Sequence, residues 1–120
     1  MATIQQVSTN YPFLTVRIQI RNWQHETPAL IDTGFEGSLV IPSSALESGL
    51  GDPDTSSNWI LADGSIVETP VYLGTLEIVG LPSILNIAVT VLGSEYILGR
   101  RVIDRYEVTL DHGERLTVRP

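Results

Sequence analysis

The sequence predicts an all-β domain, a closed barrel or a sandwich, with one or two short helices. Runs rich in β-branched residues alternate with turn residues, and the turns recur roughly every ten residues. An Asp-Gly pair between two such runs, at Asp63 and Gly64, is typical of a β-hairpin. No linker, internal repeat or low-complexity segment divides the chain, so we expect a single domain over residues 1–120.

The first half of the chain predicts strands joined by short polar segments. Residues 13–20 contain many β-branched side chains and alternate in their second half, which is typical of a strand. Serine at the start of 43–49 and glycine at its end are capping residues of a short helix. In chain order, the predicted elements are a strand at 13–20, a polar connection at 21–26, strands at 27–31 and 38–41, a helix at 43–49 and a loop at 51–57.

The second half predicts two hairpins around a long strand. Asp63 and Gly64 predict a two-residue turn between strands at 58–62 and 65–69. We expect a bend near Pro70 or Gly74, because proline and glycine interrupt regular strands. The remaining predicted elements are strands at 71–79 and 84–92, a short apolar run at 96–99, a helical segment at 100–105, and a terminal hairpin of 106–110 with 115–118.

The composition argues against several classes of function. The chain has 7 basic and 14 acidic side chains and a formal charge of −7, whereas nucleic acids and anionic membranes are bound by basic surfaces. Without cysteine there are no disulfides or thiolate metal sites. His25 and His112 lie far apart in the sequence, so we expect no metal and no cofactor. The N-terminus lacks signal-peptide features and the apolar runs are short, so we expect a soluble, cytoplasmic protein.

Asp32 occupies an unusual position for a carboxylate. It follows the apolar run 29–31 and is soon followed by a second apolar run at 39–41, which places it at a sharp turn flanked by buried backbone. A buried charge needs a partner or a shifted pKa. Asp-Thr-Gly is also ordinary turn chemistry, and a plain β-turn is the alternative interpretation.

Two motifs in a fixed order favour a functional site. The first is the apolar-Asp-Thr-Gly segment at 29–35, and the second is Ile-Leu-Gly-Arg at 97–100. Together with the segment 102–106 and the strand ending at Asp111, they resemble the retropepsin-type aspartic proteases, the single-lobed family of retroviral and retrotransposon proteases and their cellular relatives. The resemblance covers residues 13–112, most of the chain.

The resemblance implies a barrel-like all-β acid protease subunit that contributes one catalytic aspartate and pairs about a two-fold axis as a homodimer. Two carboxylates held close together share one proton, because both cannot ionise. By this resemblance, Asp32 is the catalytic base and acid, Thr33 braces the loop against the partner, and Gly34 lines the cleft. The substrate is then an extended peptide with apolar side chains near the cut bond.

The resemblance also implies supporting residues around Asp32. Gly99 would let the second motif pack under the catalytic loop, where a side chain would clash. We expect an ion pair between Glu36 and Arg100, and a narrower cleft because Phe35 is larger than the usual residue there. The hairpin tip corresponds to the flap, a mobile cover over the substrate, formed by Leu61, Ala62, Asp63, Gly64 and Ser65.

Other interpretations stay open beside a homodimeric aspartic endopeptidase. One is a retropepsin-like dimerisation or peptide-binding module without efficient catalysis, although the intact Asp-Thr-Gly weighs against it. Another is an ordinary β-barrel with a chance turn. A second catalytic loop at Asp111-His112-Gly113 is disfavoured, because histidine replaces the hydroxyl residue and too few residues follow for a second lobe. A hairpin turn is the favoured interpretation of that segment.

Overall fold

Ten β-strands make up most of the protein in the computed structural model, which describes residues 4–120. The strands are β1 (Gln6–Ser8), β2 (Phe13–Ile20), β3 (Trp23–Ile31), β4 (Leu39–Ile41), β5 (Thr55–Ile60), β6 (Ile66–Ile78), β7 (Ile84–Val91), β8 (Ile97–Leu98), β9 (Glu107–Asp111) and β10 (Arg115–Arg119). A 3-10 helix spans Ser43–Ser48, and helix α1 spans Arg100–Ile103. None of the helices in this described part has the length and apolar character needed to cross a membrane.

Six strands close into a barrel around the apolar core. Their order is β2-β3-β8-β4-β7-β6, and the pairing of β6 with β2 closes the ring. The pairs β3–β8 and β4–β7 are parallel, whereas the other pairs are antiparallel. Alternate side chains of a strand point to the same face, and every second residue of β2 is accordingly buried in the core: Leu14, Val16, Ile18 and Ile20. The predicted all-β barrel with short helices is confirmed.

Strand β6 pairs with two different strands in succession. Residues 66–71 pair with β5, and residues 75–78 pair with β2. The register of its pairing with β7 shifts between Gly74 and Leu76. A Cβ at Gly74 would lie 2.8 Å from the Gln19 carbonyl oxygen, so glycine permits the close approach of the two backbones. The first half of β6 therefore belongs to a hairpin with β5 outside the ring, and the second half closes the barrel.

The strands near the two chain ends form a small sheet in the order β1-β10-β9. Leu116 and Val118 of β10 are buried in the core. The Gln6 side chain fastens the sheet to the barrel, because its Oε1 accepts from the Thr15 N–H at 2.8 Å and its Nε2 donates to the Thr15 carbonyl at 2.9 Å. The terminal hairpin is confirmed, and its turn follows Asp111 as expected. Strand β1 escapes prediction because it is a three-residue segment without an apolar pattern.

Two predicted connections are wrong, because they contain strand residues. The polar connection at 21–26 reduces to Arg21 and Asn22, since β3 begins at Trp23. The loop at 51–57 ends early, since β5 begins at Thr55. Both segments carry polar, largely exposed side chains, and their extended form depends on pairing with a neighbouring strand rather than on local propensity. The cross-strand ion pair between Arg17 and Glu26 shows how a polar strand is accommodated.

Strand β6 also differs from its prediction, because it continues through Pro70. Its pairing with β7 begins at Val71, so Pro70 pairs only with Ser56 of β5. A proline is tolerated where one strand edge is unpaired. A bend was expected near Pro70 or Gly74, and the register of the pairing with β7 shifts after Gly74. The helix at 43–49 is a 3-10 helix without a side-chain cap, although Gly49 has the expected left-handed conformation at its exit.

The closed barrel predicts that two leucines of β6 contribute unequally to the free energy of unfolding. Leu76 is fully buried and faces Ile18 across the β2–β6 pairing, whereas Leu73 is 53% exposed. Leu76→Ala should lower the free energy of unfolding by about 2–5 kcal/mol, because it leaves a cavity. Leu73→Ala, the matched control, should cost about 0.5 kcal/mol or less. Urea denaturation of both variants measures the difference, and equal losses would contradict the closed barrel.

Candidate active site

Asp32 lies directly after strand β3, at the start of a loop that leads to β4. The parallel pairing of β3 with β8 sets Ile31 beside Leu98. The Asp32 N–H continues this pairing by donating to the Leu98 carbonyl at 3.0 Å. The Asp32 carboxylate accepts a hydrogen bond from the Gly34 N–H at 2.8 Å, and the residue is partly exposed. The backbone of the Asp-Thr-Gly turn thus orients a carboxylate that stays accessible.

The second motif holds the Asp32 loop, which we define as residues 32–38. The Gly99 N–H donates to the Ser38 carbonyl at 2.9 Å, and the Arg100 N–H donates to the Phe35 carbonyl at 2.8 Å. These bonds satisfy loop carbonyl groups that would otherwise lack partners. The two sequence motifs are therefore joined through their backbones at the end of the barrel where Asp32 lies.

Gly99 lies in direct contact with the Asp32 loop. A Cβ at Gly99 would overlap the Gly37 carbonyl oxygen, and it would lie 2.8 Å from the Gly37 carbonyl carbon and 2.5 Å from Cδ2 of Phe35. The same Gly37 carbonyl accepts a hydrogen bond from the Arg101 N–H at 3.2 Å. The close packing expected of Gly99 is present, and a larger residue would push the loop away from its hydrogen-bonding partners.

Phe35 joins the Asp32 loop to the β5–β6 hairpin. Its ring centroid lies 5.0 Å from that of Trp59 on β5, with the rings tilted by 48°. This geometry is within the favourable range for aromatic pairs. The indole Nε1 of Trp59 is buried and has no hydrogen-bond partner among residues 4–120. Trp59 therefore packs against the Asp32 loop with its indole N–H left unpaired in this part of the chain.

Glu36 and Arg100 form the expected ion pair. The distance between Glu36 Oε1 and Arg100 Nη2 is 3.6 Å, and both side chains are substantially exposed. At this distance the pair lacks a good hydrogen bond, and exposed pairs contribute only about 0–1 kcal/mol. The backbone bonds between the two motifs are therefore the stronger connection.

The tip of the β5–β6 hairpin differs from the predicted two-residue turn. The Leu61 N–H donates to the Ser65 carbonyl at 2.8 Å, and the Gly64 N–H donates to the Leu61 carbonyl at 2.9 Å. Gly64 has a φ of 86°. A type I turn followed by a left-handed glycine makes a three-residue loop, formed by Ala62, Asp63 and Gly64. The Asp-Gly pair is thus shifted by one position within the turn, and the strands end at Ile60 and Ile66.

The Asp63 carboxylate orders this tip. Its Oδ1 accepts hydrogen bonds from the Ser65 hydroxyl at 2.6 Å and from the Ser65 N–H at 2.9 Å. These two hydrogen bonds lower the pKa of Asp63 below its ordinary value. Because the folded-state pKa is lowered, the turn is stabilised above the unfolded-state pKa of this group. That stabilisation is lost as the pH falls through the folded-state value.

A groove of about 330 Å³ adjoins Asp32. Its lining combines the two motifs with one residue of β4 and the segment that follows β7: Asp32, Phe35, Val40, Leu92, Gly93, Ser94, Glu95 and Ile97. The segment 92–95 was not predicted as part of the site, because Leu92 was expected to end a strand and residues 93–95 have the sequence of an ordinary turn. Its position depends on the β4–β7 and β3–β8 pairings, which one sequence does not reveal.

The remaining predicted site residues lie at the surface. Thr33 and Gly34 are exposed within the Asp32 loop, and residues 61–65 are exposed at the hairpin tip. Within residues 4–120, no group of three or more histidine or acidic side chains is placed to hold a metal ion. The Asp32 loop, Gly99 and Arg100 meet in one region, and Trp59, close to the hairpin tip, joins them through its contact with Phe35.

Comparison with known proteins supports the fold. No protein-family model matches the chain, and no curated protein matches it. Among solved structures, a retropepsin-like aspartic protease from Rickettsia conorii matches with a TM-score of 0.61. The chain has a retropepsin-like fold. The two sequences are 12% identical, and the match covers 95% of this chain and 88% of the Rickettsia chain. At this identity the likeness establishes the retropepsin-like fold and leaves the chemistry to be argued from the site.

The close contact at Gly99 predicts that adding a single methyl group at this position strongly destabilises the protein. Gly99→Ala should lower the free energy of unfolding by about 3 kcal/mol or more, because the new Cβ meets backbone atoms that cannot rotate aside. Gly113→Ala is the comparison, since it meets only open space and costs about 1–2 kcal/mol for its left-handed backbone. Thermal unfolding of both variants is the measurement. A Gly99→Ala protein no less stable than Gly113→Ala would contradict the described packing.

The hairpin tip predicts a shifted titration of Asp63. In the parent protein its pKa should lie below the ordinary value, and Ser65→Ala should raise it by removing the hydroxyl hydrogen bond. Ser56→Ala on exposed β5 should leave it unchanged. Carboxyl-carbon NMR across the acid range measures the three values. An Asp63 pKa that does not rise in Ser65→Ala would show that the hydroxyl does not hold the carboxylate.

Proposed function

We propose that residues 1–120 form a single retropepsin-like domain that acts as a homodimeric aspartic endopeptidase. Asp32 of each subunit would supply one half of a catalytic dyad on a two-fold axis, the commonest symmetry of protein dimers. The observation that carries the proposal is the placement of Asp32. Its carboxylate is oriented by the Gly34 N–H, stays accessible, and lies on a loop held by the second motif.

The chemistry requires two carboxylates with different protonation states. Two such groups within hydrogen-bonding distance share a single proton, since the second ionisation is disfavoured by the first. The ionised Asp32 takes a proton from a water molecule, which attacks the peptide carbonyl. The protonated Asp32 of the other subunit donates to the carbonyl oxygen. The Asp32 that took the proton from water then donates it to the peptide nitrogen, and the other Asp32 takes a proton from a hydroxyl of the tetrahedral intermediate. The C–N bond breaks, the amine and the carboxylic acid are released, and the dyad again holds one proton.

Thr33 and Gly34 are proposed to complete the site at the dimer axis. Both are exposed on the same loop as Asp32, where a second copy could approach. The Thr33 hydroxyl would bond to the partner's backbone and fix the distance between the two aspartates. The Gly34 backbone would face the peptide, because the missing side chain leaves room for it.

An extended peptide with apolar residues near the cut bond is the proposed substrate. The groove beside Asp32 has an apolar wall formed by Phe35, Val40, Leu92 and Ile97. The β5–β6 hairpin would cover the peptide as a flap, with residues 61–65 at its tip. Contact between Phe35 and Trp59 connects this hairpin to the Asp32 loop. Ligand sites that combine apolar walls with few polar groups are common.

Replacement of Asp32 tests the catalytic role. Asp32→Asn should reduce kcat/KM on a cleaved peptide by about 10²–10⁴-fold or more, because the amide cannot take a proton from water. Asp111→Asn is the matched control, since it removes an aspartate from the rejected Asp-His-Gly loop. Its activity should stay close to that of the parent. Cleavage of a diverse peptide library between mildly acid and neutral pH is the measurement.

The oligomeric state and inhibitor binding separate the proposal from its alternative. Sedimentation at micromolar concentration should show a dimer, and a statine-containing peptide should bind the parent more tightly than Asp32→Asn. A monomer that still cleaves peptides would overturn the shared dyad. A dimer that cleaves nothing, with Asp32→Asn identical to the parent in peptide binding, would favour a dimerisation or peptide-binding module.

A further inference from the structure

A second pocket, of about 500 Å³, lies where β5, β7 and α1 meet the Asp32 loop. Its lining is polar and positively charged, unlike the groove beside Asp32. Arg101 and Arg105 contribute the charge, and Ser38, Ser57 and Asn86 contribute polar groups. No acidic residue is part of this lining among residues 4–120.

The two arginines of this pocket differ from the others in the chain. The other five each form an ion pair with a carboxylate: Arg17, Arg21, Arg100, Arg115 and Arg119. Within the described residues, Arg101 and Arg105 form no ion pair. In a chain of net charge −7 without a lysine, unpaired positive charge is scarce. Its concentration in a single pocket indicates a ligand that carries negative charge.

The groups around the pocket suit a carboxylate. A guanidinium group recognises a planar carboxylate through paired, charge-assisted hydrogen bonds. The hydroxyl groups of Ser38 and Ser57 and the amide of Asn86 can donate to its remaining lone pairs. The overall negative charge of the protein would repel acidic peptides elsewhere on its surface. This pocket is therefore a place on the protein where an acidic group would be attracted rather than repelled.

The pocket adjoins the proposed peptide-binding site. Gly37 lines it from within the Asp32 loop, and Trp59 lines it from β5 while its ring contacts Phe35. Phe35 in turn lines the groove beside Asp32. The Asp32 loop and the Phe35–Trp59 contact therefore border both the groove and this pocket. A side chain of a peptide bound in the groove could reach the pocket across this shared border.

We infer that this pocket binds an acidic side chain of the peptide substrate, held by Arg101 and Arg105. The inference rests on the proposed function, because it assigns the pocket to one end of the peptide-binding site. It adds a specificity that the apolar groove lacks. Peptides with glutamate or aspartate a few residues from the cut bond should be preferred over those with the uncharged amide.

Paired peptides test the inference through binding, without requiring catalysis. Fluorescein-labelled, statine-centred peptides would carry Glu or Gln at one position, scanned over three residues on each side of the statine. Fluorescence anisotropy with the parent and with Asp32→Asn measures their affinities. At one position, Glu should be preferred over Gln by about tenfold, the scale of a charge-assisted hydrogen bond. Arg101→Gln/Arg105→Gln should abolish that preference while binding the Gln peptide as before.

A matched variant controls for net charge. Arg115→Gln/Arg119→Gln removes the same charge from the terminal sheet, and it should keep the preference for Glu. Circular dichroism verifies that both double variants are folded, as expected for exposed side chains. Equal affinities within every pair, or no binding of any peptide, would overturn the inference. So would an equal loss of the preference in both double variants.

The outcomes for the pocket and for catalysis are distinguishable. Cleavage that depends on Asp32 but shows no preference for Glu would leave the protease proposal standing and remove the acidic specificity. A preference for Glu that depends on Arg101 and Arg105, in a protein that cleaves no peptide, would support the pocket and overturn the endopeptidase.

Discussion

Backbone hydrogen bonds between the Asp32 loop and the segment 98–101 set the geometry of the whole site. Leu98, at the end of β8, accepts from Asp32, and the N–H groups that follow it donate to carbonyls of the loop. Such bonds can form only if the two backbones lie nearly in contact, and Gly99 permits that contact. The orientation of the carboxylate, the position of Phe35 and the approach of the hairpin all follow from it.

Because these bonds join backbone groups, most side chains around them are free to vary. A structure with 12% identity can therefore share the fold. The restricted positions are those where an added side chain would meet backbone, as at Gly99, or the Phe35 ring, as at Gly37, and those where the side chain supplies the proposed chemistry, as at Asp32. The exposed ion pair between Glu36 and Arg100 adds little stability. The backbone around Asp32 is therefore held rigidly, whereas the side chains that surround it can vary. Such an arrangement allows the side chains to change without altering the position of Asp32.

The sequence predicts those parts of the structure that local chemistry determines. The alternating pattern of β2, the left-handed exit at Gly49 and the terminal hairpin are all visible in single segments. The resemblance based on the Asp-Thr-Gly and Ile-Leu-Gly-Arg motifs implied the packing of Gly99 against the Asp32 loop, and the close approach of Gly37 and Phe35 gives the steric reason for this glycine. Strand residues such as 23–26 and 55–57 escaped prediction, since only their pairing partners make them extended. The segment 92–95 and the arginine pocket escaped because residues distant in sequence assemble them.

Strand β6 places two kinds of structure on one continuous backbone. Its second half is locked between β2 and β7 with Leu76 in the core, whereas its first half belongs to a hairpin whose tip is exposed. Local opening costs little where few apolar contacts are buried and approaches global unfolding in the core. Amide hydrogens should therefore exchange with solvent along a gradient, quickly near Ile66 and slowly near Ile78. A hairpin anchored in this way can fluctuate while the barrel that holds Asp32 stays folded.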